Sequence, residues 1–322
     1  LNLSAIKLIL ASEVGGTMAS DSSETKKVVT SFSRIEDKFI LPKNLVPEFV
    51  KLLSGHLDRS FGSETSEDSD NSGNQSIYFD SKQVDCFQQH FDKVNERFKL
   101  RIRRYRNRGV WDSDVIFVEC KFKINGTSSK QRFLLTKEAF EQMLDGNEIE
   151  ITPELFKINT SMKKETLLKR ANELNQIFRT LKARPKLIVE YQRWAFERAD
   201  LRVTIDRHIS LQPLGTISKS VVEQIKKGSG WNQAIQMQRV FDNDKHCLIE
   251  IKHSGQHPEW FDEFMREHSI GQTSFSKYCW GMSQVMEAID QDAPFEEGSF
   301  VPQTENASSA HSGKDELCSL AV

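Results

Sequence analysis

Residues 97–108, RFKLRIRRYRNR, hold seven basic side chains in twelve positions. Cations at that density meet water, nucleic acid or another polyanion, and their spacing bears on the choice. Phe98, Leu100 and Ile102 alternate with Lys99, Arg101 and Arg103, which predicts a strand with one apolar and one charged face. The same alternation recurs. Arg34, Glu36 and Lys38 oppose Ile35 and Phe39; Glu119, Lys121 and Lys123 oppose Val118, Cys120 and Phe122. Arg202, Thr204 and Asp206 oppose Leu201, Val203 and Ile205, and Glu250 and Lys252 oppose Ile249 and Ile251. One such strand describes any half-exposed antiparallel sheet. Five in one domain predict a sheet that curls around a polar interior, with helices on its apolar exterior. Charges of both signs in such a lumen are costly unless water or a ligand compensates them. Arginine forks, lysine point charges and a few carboxylates match a polyphosphate together with a divalent metal.

The elements that position these residues follow from hydrophobic periodicity and turn chemistry. Strands are predicted at 31–41, 75–80, 97–106, 114–124, 129–135, 186–197, 201–207, 234–242 and 246–252. INGTSSK marks a hairpin between two of them. Helices are predicted at 43–57, 82–93, 163–182, 258–268 and 275–290, and one more begins behind an N-cap at Thr136. The class is α+β, with a mainly antiparallel sheet of about eight strands. Residues 1–27 read as a disordered N-terminal extension and 291–322 as a disordered tail. The folded domain is then 28–290, with an acidic, Ser/Gly-rich loop at 62–74.

Composition sets limits. Of 322 residues, 38% are hydrophobic and 28% charged, as in a globular chain, and the formal net charge is −2. A general nucleic-acid binder is more often basic overall, so the cations imply a local site and nucleic acid is not the expected partner. Five scattered cysteines form no CxxC pair or zinc spacing, which fits free thiols in a reducing compartment. No stretch reaches the run of about 18 apolar residues that a membrane helix needs. The expected location is cytoplasmic, or peripheral at the inner face of a membrane. Lys7 interrupts the mildly apolar opening and the first methionine is Met18, so an upstream extension is preferred to a signal peptide. KDEL at 314–317 is internal and is not a retention signal.

The segments RIEDKFIL, SIYFD, FKLRIRRY, FVECKFKINGTSSKQRF, EYQRWAFERADLRVTIDRHI, CLIEIK and FSKYCWGM, in this order, resemble the VTC-type polyphosphate polymerase domain of the triphosphate tunnel metalloenzymes. The resemblance spans about 31–285 and implies an eight-stranded antiparallel tunnel with helices packed outside. It implies phosphate contacts from Lys38, Arg101, Arg103, Lys121, Lys130, Tyr191, Arg193, Arg202, Ser276 and Lys277, with Arg193, Arg202 and Lys277 closest to the chemistry. Glu250 is the implied ligand for Mn²⁺ or Mg²⁺; Glu36 and Glu119 are further candidates for the metal, the alternative being that they pair with neighbouring cations as part of the tunnel wall. The implied reaction moves the γ-phosphoryl group of ATP onto a polyphosphate or pyrophosphate end and releases ADP.

The first strand reads R-x-E-x-K, where many tunnel enzymes of the CYTH group carry E-x-E-x-K; this argues against the thiamine triphosphatase and adenylate cyclase branches. Neither the SPX domain nor the membrane helices of eukaryotic polymerase chains are recognisable here, which leaves room for a membrane partner protein without implying one. Two alternatives use the same residues: a tunnel hydrolase acting on tripolyphosphate or nucleoside triphosphates, and a non-catalytic module binding polyphosphate or RNA. Tyr105 and Trp194 are read as packing residues. Lys99, Arg104, Arg106 and Arg108 are assigned to the rim or outer surface, where they steer anions. His208, His246 and His253 fit no ligand pattern.

Overall fold

The computed structural model describes residues 35–61, 73–107, 110–111, 115–124, 127–227 and 230–291. Strands β1 (Ile35–Pro42), β2 (Asp58–Phe61), β3 (Gly73–Asp80), β4 (Glu96–Asn107), β5 (Val110–Trp111), β6 (Phe117–Ile124) and β7 (Thr127–Leu134) are followed by β8 (Arg184–Arg198), β9 (Leu201–Pro213), β10 (His246–His253) and β11 (Gln272–Thr273). Helices α1 (Val46–His56), α2 (Asp85–Phe91), α3 (Lys137–Leu144), α4 (Pro153–Ile158) and α5 (Lys164–Leu181) precede β8 or lie between earlier strands. Helices α6 (Lys219–Lys226), α7 (Gly230–Val240), α8 (Glu259–Glu267) and α9 (Lys277–Asp290) complete the described fold.

All strands join one antiparallel sheet in the order β11-β1-β10-β9-β8-β3-β4-β6-β7, with β2 added to β8 and β5 to β4. The expected eight strands are the long ones; β2, β5 and β11 are additions of two to four residues. Among the described residues no ladder joins β7 to β1 or β11, so backbone pairing leaves the tunnel unclosed. Side chains reach across instead: Lys121 on β6 donates to both carboxylate oxygens of Glu36 on β1, at 3.0 and 3.2 Å.

The period-two pattern decides which face is which. Register places Lys38 opposite Glu250, Glu250 opposite Thr204, Arg101 opposite Glu119 and Lys121 opposite Lys130, so the charged positions share the concave face. The intervening apolar residues turn outward into two clusters. Phe39, Leu41, Phe49, Val203, Ile249, Ile251, Phe261 and Phe264 pack under α1 and α8. Ile77, Leu100, Ile102, Val118, Phe122 and Ile188 pack with α2, α3, α5 and α9. Each fully buried side chain of this size stabilises the fold by about 1.5–3 kcal/mol.

Residues 234–242, expected as a strand, lie mainly in helix α7, which ends at Val240. Ala234, Met237 and Phe241 recur at helical spacing; Ala234 and Phe241 are buried and Met237 packs against the same core. The alternation that suggested a strand is a by-product of Gln and Arg between them. Strand β3 begins at Gly73, inside the expected acidic loop; 62–72 lie outside the described residues, as do Arg34, Arg108, the hairpin tip 125–126 and both termini. Helices α4 and α6 were not foreseen. Among the described residues no helix is long and apolar enough to cross a membrane.

Candidate functional site

One end of the lumen is closed by the start of α9. Ser276 caps this helix, its hydroxyl accepting from the Cys279 amide, and the 14-residue helix directs its positive dipole end toward the tunnel. Three strands reach this turn. Lys38 donates to the Phe275 carbonyl at 3.1 Å, and Lys99 donates to Ser276 Oγ at 2.8 Å. Lys277 itself reaches Asp206 at 2.5 Å. Behind the turn, the Tyr278 hydroxyl donates to the buried Asp80 and its ring stacks on Tyr78. Gly281 allows close approach of α9 to the sheet: a Cβ there would stand 2.7 Å from Leu187 Cδ2 and 2.8 Å from Leu211 Cδ2.

Beside this floor, two carboxylates converge on one ammonium. Lys252 lies 3.1 Å from Glu250 and 3.6 Å from Glu36, and Lys38 and Lys121 also pair with Glu36. Burial and the neighbouring Glu250 work against ionisation of Glu36, but Lys38, Lys121 and Lys252 outweigh them and hold its pKa down at about 2. Glu250 is held well below the usual carboxylate range: burial opposes this, and Lys252, Arg193, Lys38 and Lys277 overcome it. Burial alone would discharge Lys38, yet Glu36 and Glu250 raise its pKa above the ordinary lysine value. The oxygen-only donor set of Glu36 and Glu250, with a cation already drawn between them, fits a hard divalent ion such as Mg²⁺ or Mn²⁺.

Two further carboxylates sit deeper in the wall. Asp206 is fully buried, and Arg193 grips it with both fork positions at 2.5 and 2.7 Å. Arg193 and Lys277 also lie over the Tyr191 ring, at 5.3 and 4.5 Å from its centre, and Arg103 donates to the Tyr191 hydroxyl at 2.9 Å. Glu119, 1% exposed, accepts from Arg101 Nε at 2.9 Å and Nη2 at 2.6 Å, with Lys130 and Arg132 on its other oxygen. Burial pushes the Glu119 pKa up, but Arg101, Arg103 and Lys130 dominate and bring it to about 2. On the same inner face, Asn74 Nδ2 and Thr204 Oγ1 are buried without hydrogen-bond partners, as groups that a polar occupant would satisfy.

Lys38, Arg101, Arg103, Lys121, Lys130, Tyr191, Arg193, Glu250, Ser276 and Lys277 thus share one charged lumen with Glu36 and Glu119. Arg202 stands apart: half-exposed, it pairs with Glu197 at 3.3 Å rather than with Glu250 or Asp206. Lys99 is corrected from the rim to the tunnel end, where it bonds Ser276, because register with Lys121 turns it inward. Arg104 does face outward, over the Phe140 ring. Trp194 packs outside, as expected, under Arg207 at 3.7 Å from its ring centre. Asp206 is the residue sequence reasoning missed. Its place on an alternating charged face was visible, but nothing local marked it as the partner of Arg193 and Lys277.

Solved structures that resemble this chain include two candidate adenylate cyclases. One is a candidate adenylate cyclase from Bacillus halodurans, at 13% identity and a TM-score of 0.40, covering 76% of this chain and 94% of that one. The other is a candidate adenylate cyclase from Vibrio parahaemolyticus, at 10% identity and a TM-score of 0.36, covering 77% and 97%. No curated protein sequence is matched. The profile of the VTC domain, however, matches residues 33–286, which contain every lumen residue described above, and the chain therefore belongs to the VTC domain family.

Proposed function

We propose that this protein is a metal-dependent polyphosphate polymerase that moves the γ-phosphoryl group of ATP onto the end of a polyphosphate chain and releases ADP. The observation that carries this reading is the convergence of Lys38, Arg193, Lys252 and Lys277 on Glu250 and Asp206, beside the positive end of α9. Phosphoryl transfer needs in-line positioning and neutralisation of phosphate oxygens more than covalent help from the protein. Asp206 supports both cations, so Arg193 and Lys277 are aimed before substrate arrives. Glu119 does the same for Arg101, and Tyr191 for Arg103. Ser276 and the first turn of α9 offer an anion-binding end, and Lys99 adds charge there. Arg202, Lys121 and Lys130, all partly exposed, handle the chain farther along.

The acceptor phosphate is already ionised near neutral pH, so neither a protein nucleophile nor a strong general base is needed. Glu250, with Glu36, would hold Mn²⁺ or Mg²⁺, which supplies charge neutralisation across adjacent phosphate oxygens. The four cysteines among the described residues, all buried and free, suit cytoplasmic residence, with product passing to a partner at a membrane.

The test is incubation of the full chain with ATP and Mn²⁺ or Mg²⁺, with and without a pyrophosphate or polyphosphate primer, followed by gel analysis. Long polyphosphate and ADP are expected, and Glu250→Gln should abolish them. Free phosphate without chain product would assign the tunnel to hydrolysis. No metal-dependent turnover under any of these conditions would leave only a binding module.

A further inference from the structure

The outer face of β1 carries a second polar cluster, away from the lumen. Asp37 alternates with Glu36 and Lys38 and so points to the opposite side of the sheet. Its Oδ2 lies 2.9 Å from His253 Nε2, at the end of β10, and 3.0 Å from His257 Nε2, in the turn before α8. One ligand atom from each of these three residues falls within 4.8 Å of the others. Gln272 on β11 donates to Asp37 Oδ1 and fixes the carboxylate plane.

The proton inventory of His257 is the telling feature. Its Nδ1 faces Asp262 Oδ1 at 2.8 Å while its Nε2 faces Asp37 Oδ2 at 3.0 Å. A neutral ring has one N–H, so one of these nitrogens turns a lone pair toward a carboxylate oxygen. A second ring proton, or a divalent cation between Nε2 and Oδ2, removes that conflict; in the second case Asp262 accepts the remaining Nδ1–H, as an outer partner orients a metal-bound imidazole. His253 offers its Nε2 to the same point, and binding a metal there places the one N–H of the neutral ring on its buried Nδ1, which has no hydrogen-bond partner.

We propose that Asp37, His253 and His257 form a binding site for a zinc-like divalent cation, distinct from the tunnel and serving as a staple between β1, β10 and the start of α8. Two imidazole nitrogens and one carboxylate oxygen favour Zn²⁺ over Mg²⁺. Three protein ligands leave a fourth position for water. Tetrahedral bonds of about 2.0–2.2 Å put ligand atoms roughly 3.3–3.6 Å apart, so each imidazole Nε2 need move out from Asp37 Oδ2 by only a few tenths of an ångström, from 2.9 and 3.0 Å.

Chelator-treated full chain is titrated with Zn²⁺ against a competing chromophoric chelator. About one equivalent should bind at submicromolar free Zn²⁺, and equally well to Glu250→Gln, because the tunnel is not the site. His257→Gln should weaken binding about 100-fold or more. Asp262→Ala alters a half-exposed side chain outside the core and should weaken it about 10- to 100-fold. Nitrogen-15 shifts of the His253 and His257 rings should move on Zn²⁺ addition to the unmutated chain. Failure to bind at about 100 µM free Zn²⁺, equal affinity in His257→Gln and Asp262→Ala, or unmoved histidine shifts would each overturn the proposal.

Discussion

Inward from β1, Glu36 and Lys38 meet Lys121, Lys252 and Glu250; outward, Phe39 and Leu41 join Phe49, Phe261 and Phe264. The inner contacts are ion pairs, each of which a phosphate or a cation can replace with another charge. The outer contacts are aromatic edges and faces that nothing replaces, with Phe261 5.3 Å from Phe39 and 6.1 Å from Phe49. A buried ion pair is weak evidence for stability, because desolvation offsets most of the attraction. The contrast therefore separates what holds the tunnel from what the tunnel holds.

That separation is open to attack from either side. Phe261→Ala, at a fully buried position, should cost about 3–5 kcal/mol in urea unfolding while the folded fraction keeps its affinity for polyphosphate. An equal loss of affinity would break the contrast. Lys277→Ala should do the reverse, cutting turnover with ATP about 100- to 1,000-fold while the protein still folds, because Arg193 keeps its two bonds to Asp206.

Acidity separates the two kinds of buried carboxylate. Glu119 faces cations, and its pKa falls to about 2 against the ordinary 4.5. Its contribution is present above about pH 4.5 and is lost as pH falls toward 2. The hydrogen bonds that Asp80 accepts come from neutral donors, with Lys186 a more distant charge: burial raises its pKa to about 6 from 3.8, against the opposing hydrogen bonds from Tyr278, Cys86, Ser81 and Phe87. Its protonated form is the one the fold favours, so its contribution is full below about 3.8 and is lost as pH rises through 6. The shift corresponds to about 3 kcal/mol. Urea midpoints measured from pH 3.5 to 7.5 should show this loss, and Asp80→Asn should flatten it. The smallest effect belongs to Lys123, exposed at the mouth of the same inner face; Lys123→Ala should change stability by less than about 0.5 kcal/mol and turnover only slightly.

Alternation made the inner face legible, because a residue's parity on a strand fixes its side of the sheet whatever the neighbouring strands are. Lys38, Arg101, Lys121 and Glu250 could be assigned that way. Partnership could not, since it depends on which strands become neighbours and where each register falls. Asp206 looked like one more carboxylate until β8 brought Arg193 beside it, and Lys99 looked peripheral until α9 arrived at its tip. The Asp37 cluster was hidden for the same reason: its histidines come from β10 and the following turn, more than 200 residues along the chain. The missed helix α7 has a different cause, a short amphipathic stretch in which two periods compete and tertiary packing decides.

Among the described residues, the gap in the backbone ladder between β7 and the other end of the sheet has a consequence for the order of events. Lys121 and Glu36 span the lumen through side chains alone, by a charged hydrogen-bonded pair, and under the proposed function an arriving phosphate would compete for the ammonium. Each such exchange releases a carboxylate beside Glu250 at the moment when an anion has entered. Under the proposed function, anion entry and cation uptake would then be one coupled trade, sensitive to ionic strength because the contact that is exchanged is an ion pair.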